Sequence, residues 1–300
     1  MKRALLLVGL GAGLLVAAPA PAKTVTVDIS KLGFVPAAVT VQVGDSVTWT
    51  NKDTATHQVV CATCPFTSPP IAAGLTFTYT FTKVGKFNVV DPLNKNKKGT
   101  VTVTAAPASA SVAAAPRPVT YGTATTISGM ISTGEANQKV DILAQPCGET
   151  AAKAVATATT TAGGAFTWQT QPTLLTSYQV RFKPATGPQV TSTAIPVSVR
   201  PVVGLGKSGR GKFKVRVLAA QSFVGKAVAF QRLTVRKRWT TLKTVFLGTR
   251  TAAAAPLAGT TISSAAFTVR IKRGLRVRAV LPAGQAAPCY ASARSRTILS

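Results

Sequence analysis

The chain has one histidine, seven acidic residues and four cysteines among 300 residues, set against 35 Lys and Arg, so the side chains that carry most enzymatic chemistry are scarce. That inventory leaves no Ser-His-Asp set, no metal triad and no phosphate-cradling Gly loop, and an enzyme is not expected. Aromatic residues make up 6% of the chain. No 3.6-period apolar stripe follows the first twenty-odd residues, which argues against helices. Thr and Val alternate instead, and period-two alternation is the pattern of half-buried strands, so the chain is expected to be all-β. No second long apolar run follows the first, so no transmembrane helix is expected in the mature protein.

The first residues, MKRALLLVGLGAGLLVAAPAPA, have two cations, an apolar run and small residues at Ala20 and Ala22. This is the layout of a secretory signal peptide, and the run from Ala4 to Ala18 is shorter than the ~20 residues of a spanning helix. Residues 1–22 are therefore read as a signal peptide cleaved near Ala22, with the rest secreted, either extracellular or in the cell envelope. Cysteines in that setting can oxidise.

Residues 23–105 hold a series of short alternating segments, TVTVDI, AVTVQVGDSVTWTN, HQVV, LTFTYTFT, GKFNVV and GTVTVT, separated by Gly, Pro, Asn and Asp. A compact β-sandwich is the expected result. The stretches GFVPAAVTVQVGDSVTWTNKDTATH, GLTFTYTFTKVGKFNVV and KKGTVTV together resemble the cupredoxins, the plastocyanin-like blue copper domains.

The resemblance implies a copper ligand set: a His after the TNKD-type turn, then a late C-x-x-H-x-x-M loop before G-T-V. His57 stands at the first position. Over DPLNKNKKGTV, Asp91 stands at the cysteine position, Asn94 at the histidine position and Lys97 at the methionine position. A blue copper site needs a thiolate, two imidazoles and a weak axial thioether. A protonated ammonium does not ligate, Asn is a poor copper donor, and His57 is the only histidine. The expectation is a cupredoxin-like fold without type 1 copper and with no cofactor. The alternatives are a blue-copper-like electron carrier and a non-type-1 metal module built on His57, Cys61 and Cys64, with Asp91 as a fourth donor. In a secreted chain the spacing of Cys61 and Cys64 favours a small disulfide ring over that metal site.

Residues 105–118, AAPASASVAAAPRP, read as a linker merging into a first strand. Two stretches then repeat the same order of elements, residues 106–198 and 199–300. GAFTWQT corresponds to AAFTVRI and SYQVRFKP to LRVRAVLP. Counting PVTYG and PVVGLG as first strands gives seven strands each, and both resemble immunoglobulin-like or fibronectin-like domains of bacterial surface proteins. The chain is thus expected to be three tandem Greek-key β-sandwiches, cupredoxin-like and then two immunoglobulin-like.

Charge is segregated. All seven acids precede Val199, and twenty Lys or Arg follow it. Many of these cations alternate with apolar residues, which puts them on outward faces. Pairing of the second and fifth strands predicts one basic patch of Lys212, Lys214, Arg216, Arg270 and Lys272. Arg276, Arg278, Arg294 and Arg296 are predicted to form another on the opposite sheet. Like charges side by side on paired strands are destabilising, so external anions are the expected counterions. The expected partners are anionic cell-envelope polymers or other anionic surfaces. Sequence-specific nucleic acid is not expected, since no recognition-helix pattern is present and Trp239 with a few phenylalanines is thin material for base stacking.

Cys147 and Cys289 belong to different sandwiches. Cys147 lies in the third-to-fourth strand connection of one, and Cys289 in the sixth-to-seventh connection of the next. Up-and-down strand order turns those two ends toward the junction near Arg200, and a Cys147–Cys289 disulfide is predicted there.

Overall fold

A computed structural model describes residues 22–61, 66–185, 187–253 and 259–300. The signal peptide expected at residues 1–22 lies, but for Ala22, outside the described residues. Cys64 lies outside them too, and with it the expected Cys61–Cys64 ring. The regular structure of the described chain is nearly all β, with one four-residue α-helix at Ala283–Ala286 and a single 3-10 turn. None of its helices is long and apolar enough to cross a membrane. It divides into two compact units, one ending at Pro107 and the other running from Ala108 to Ser300.

The first unit is a two-sheet sandwich. One sheet orders Gly33–Val35, Thr24–Ser30, Ser46–Asn51 and Thr76–Thr80, and the other orders Ala38–Gln42, Asn94–Thr104, Gly85–Asp91 and Val60–Cys61. Alternation decides which side chains enter the core: Val47 and Trp49 are buried, while Ser46 and Thr48 meet Thr80 and Thr78 across the strand pair, with hydroxyl oxygens 2.8 Å apart in each case. Trp49, Phe66, Tyr79, Phe81 and Phe87 chain ring to ring through the interior. Most of the scarce aromatic side chains of this unit are spent on that core.

The second unit contains two further sandwiches. In the first of these, Ala165–Thr170, Thr125–Ile131 and Ala110–Ala115 form one sheet. Lys153–Thr159, Lys139–Pro146 and Thr176–Phe182 form the other, with Val190–Thr191 and Ile195–Val197 both pairing the last. Part of the expected linker is thus an edge strand: Ala110–Ala115 pairs Thr125–Ile131, with Ala114 buried. Ala and Ser suit that position because the neighbouring Gly129 allows close approach; a Cβ there would sit 2.0 Å from the Ser111 carbonyl oxygen.

In the last sandwich, Val202–Gly209, Lys212–Ala219, Thr261–Thr268 and Thr249–Ala252 face Trp239–Phe246, Ala227–Leu233 and Arg276–Leu281. Ala293–Arg294 and Ile298–Leu299 pair two ends of Arg276–Leu281. The boundary expected at residues 198 and 199 lies inside one continuous core, which includes Val119, Val197, Val199, Val203, Phe223 and Tyr290. Val119–Thr120 runs parallel to Val199–Arg200 across it. Cys147 and Cys289 are bonded there, with Cα atoms 5.4 Å apart.

Candidate functional sites

In the first unit, two of the four expected ligand positions, His57 and Asp91, meet one another. Asn51 ends its strand fully buried and organises the following loop: its side-chain amide donates to the Ala55 and Ile71 carbonyls at 2.7 and 2.8 Å, and its Oδ1 accepts from Asp53 N–H at 2.9 Å. That turn brings Asp53 beneath His57. His57 is 2% exposed and its two ring nitrogens both face carboxylates, Nδ1 at 2.6 Å from Asp91 Oδ2 and Nε2 at 3.1 Å from Asp53 Oδ2. Both contacts are hydrogen bonds when both nitrogens carry protons, and an imidazole in that state has no lone pair for a metal.

Asp91 is 0% exposed. Its other oxygen accepts from the Gln58 and Leu93 backbone N–H groups at 3.2 and 3.0 Å. Lys97, 2% exposed, donates through Nζ to the Lys31 carbonyl at 2.9 Å. The hydrogen bond from His57 is the main cause of a lowered Asp53 pKa, with smaller help from the Thr54 N–H and the Lys97 charge. Among the described residues there is no group of three or more His, Cys, Asp or Glu side chains placed to hold a metal ion. The donor set of His57, Asp91, Asn94 and Lys97 does not match the thiolate, imidazole and thioether chemistry of type 1 copper. Sequence reasoning found His57 and Asp91, and Asp53 as an acid near His57, but missed Asn51. The N-K-D turn was the available signal, because a buried Asn bonding its own loop recurs at such turns.

In the last sandwich, Lys212, Lys214 and Arg216 project from one face of a strand whose alternate residues Phe213, Val215 and Val217 are buried. The strand pairing expected for this patch is present, but its register differs. Opposite the three cations stand Thr268, Ala266 and Ser264, and the strand ends at Thr268. Arg270 and Lys272 lie beyond it, so they do not stand across from the other three. They are exposed, and Val269 and Ile271 between them pack on the Phe213 cluster. On the other flank, Gly206 and Gly204 face Lys214 and Arg216.

Arg276 and Arg278 alternate with Val277 on the opposite sheet, and Arg294 follows on its edge, opposite Val280. Arg278, Arg294 and Arg296 line a common cleft together with Arg200, which sequence reasoning had not placed there. Arg276 instead lines a smaller cavity of about 420 Å³ with Trp239 and Leu233.

Residues 3–103 match a family model described as a cupredoxin-like domain. Among solved structures, the purple cupredoxin from Nitrosopumilus maritimus is 24% identical over 27% of this chain and 99% of that one, with a TM-score of 0.26. A Cu(I) amicyanin variant is 27% identical and an oxidised amicyanin variant 28%, each over 27% of this chain and 82% of the other, with TM-scores of 0.26. No curated protein matches the chain.

Proposed function

We propose that this is a secreted, non-catalytic protein of the cell surface or envelope. Its cupredoxin-like domain has given up type 1 copper, and its C-terminal sandwich binds anionic polymers. The two C-terminal sandwiches are read as immunoglobulin-like modules that present the basic face.

The observation carrying this reading is the cation row Lys212, Lys214 and Arg216, exposed on one strand and flanked only by uncharged residues. Facing charges of opposite sign would neutralise such a row within the fold, yet no acid follows Val199 in the sequence. The flanking glycines are not demanded by packing, since a Cβ on Gly204 or Gly206 would meet nothing closer than 3.9 Å. They leave a flat strip along which an extended chain can lie beside the cations. In the first domain, the pairing of both His57 nitrogens with carboxylates supports a structural role for the former ligand positions.

The test is retention of the full mature protein on an anionic matrix across a salt gradient. Binding should weaken steeply with salt, because each neutralised anion releases counterions. The Lys214→Glu/Arg216→Glu variant should elute at distinctly lower salt. Elution of the variant with the wild type removes the assignment of this face.

A further inference from the structure

The last sandwich, with Thr120 from the one before it, lines a cleft of about 1000 Å³ that has four arginines in its lining and no acid. Each arginine arrives there by a separate constraint. Arg200 ends the short strand paired with Val119–Thr120, where its carbonyl accepts from Tyr121 N–H at 2.8 Å. Arg278 points outward from its strand by alternation with the buried Val277 and Ala279. Its Nε donates to Gln231 Oε1 at 3.0 Å and its guanidinium carbon lies 4.0 Å from the centre of the Trp239 ring. One face and one edge of that guanidinium are therefore occupied by the protein, and its Nη groups are held in a set direction. Arg294 stands across from Val280, and Arg296 follows two residues later.

The wall carrying Arg294 and Arg296 is fastened at several points. Cys289 is bonded to Cys147 and its carbonyl accepts from Leu175 N–H at 2.8 Å. The Tyr290 hydroxyl accepts from Ala220 and Gln221 N–H, and Ala291 N–H donates to the Val199 carbonyl at 2.9 Å. The cleft is thus built before any ligand arrives, which lowers the ordering cost of binding. Its cations repel one another: burial first, and then the Arg294 charge, lower the Arg278 pKa. A bound anion relieves both penalties.

We propose that this cleft is a binding site for a ligand bearing two or more phosphate groups. The inference rests on the polyanion reading above and gives it a discrete site. Four positive charges call for a multiply charged ligand, and the guanidinium fork matches phosphate oxygens in pairs. The remaining lining is mostly apolar, with Val203, Leu205, Val280 and Ile298 beside the hydroxyls of Thr120 and Ser292, and suits the carbon backbone between phosphates on a polymer. The shared chemistry admits two sources, free polyphosphate and a polyol-phosphate chain.

The experiment is calorimetric titration of the full mature protein at physiological salt with inorganic tripolyphosphate, with a short poly(glycerol phosphate) and with an oligogalacturonate. A single site is expected for at least one phosphate probe, and the tighter of the two identifies the source. Arg278→Gln/Arg294→Gln should weaken it at least tenfold. Arg200→Gln/Arg296→Gln, which leaves the Trp239 stack intact, should do the same without change in the thermal midpoint. Lys83→Gln/Lys86→Gln, exposed in the first unit, should leave it within twofold. Binding by both cleft variants within twofold of the wild type, or tighter binding of the uronate, overturns the proposal. If tripolyphosphate and the phosphodiester chain fail to bind while retention on an anionic matrix persists, the cleft is refuted and the general reading stands. If phosphate binds in the cleft while matrix retention is absent, the cleft is supported and the general reading falls.

Discussion

His57 Nδ1 lies 2.6 Å from Asp91 Oδ2, a buried contact that spans 34 residues of sequence. The same carboxylate also holds the Gln58 and Leu93 backbone N–H groups. One buried side chain thereby ties the stretch around His57 to the end of the strand Gly85–Asp91.

Mature protein incubated with Cu(II) is expected to show no intense thiolate-to-copper band, because a carboxylate stands where the thiolate is needed. The check is a visible spectrum after dialysis. A stoichiometric blue species would contradict the structural role given to Asp91.

Asp91→Ala should destabilise the first domain by several kcal/mol, since it strands the His57 ring nitrogen and the Gln58 and Leu93 N–H groups, at about 1–3 kcal/mol for each buried unsatisfied group. Asp91→Asn keeps the oxygen that accepts from both backbone N–H groups and should lose less. Denaturant melts followed by Trp49 fluorescence report this domain, since Trp49 lies in its core.

Acid should loosen the same domain. Asp45 accepts from Gln42 and Lys23 N–H groups, both at 2.8 Å, and these bonds, that from Gln42 first, lower its pKa from the ordinary 3.8. Asp53 is lowered from the same value, chiefly by His57. A carboxylate with a depressed folded pKa contributes fully above its unfolded value, and the contribution disappears as pH falls through the folded one. The thermal midpoint should therefore drop below about pH 4. The drop should shrink in the Asp45→Asn variant, whose starting midpoint is already lower.

Cys147 and Cys289 are separated by 142 residues, and their bond closes a long loop. Cys147→Ser/Cys289→Ser should cost the second unit about 2–4 kcal/mol, mainly through the freed unfolded chain. Unfolding of the double variant, compared with the wild type with and without reductant, measures it. Equal midpoints in all three would show that the shared core alone holds the junction.

Much of this architecture was legible in the residues. Thr/Val alternation identified the strands, and TNKDTATH with DPLNKNKKG located the positions where His57 and Asp91 meet. The strand order that placed Cys147 and Cys289 at neighbouring ends depended only on counting elements. Other features were hidden. The strip Ala110–Ala115 has too little apolar bulk to signal a strand, and it becomes one because Gly129 lets it approach. Arg200 stands alone between two strands, with no pattern to connect it to Arg278 and Arg294.

Side-chain direction along a strand is a local property with a period of two, so the outward aim of Lys214, Arg216 and Arg278 could be read from their neighbours alone. Register and the meeting of distant segments are not local. They depend on which strand ends where, and Thr261–Thr268 stops before Arg270, removing it from the row that alternation had drawn. They depend also on which walls close around a cleft. Four arginines from Arg200 to Arg296 share one space because strands far apart in the chain pack side by side there, and that is a property of the tertiary fold.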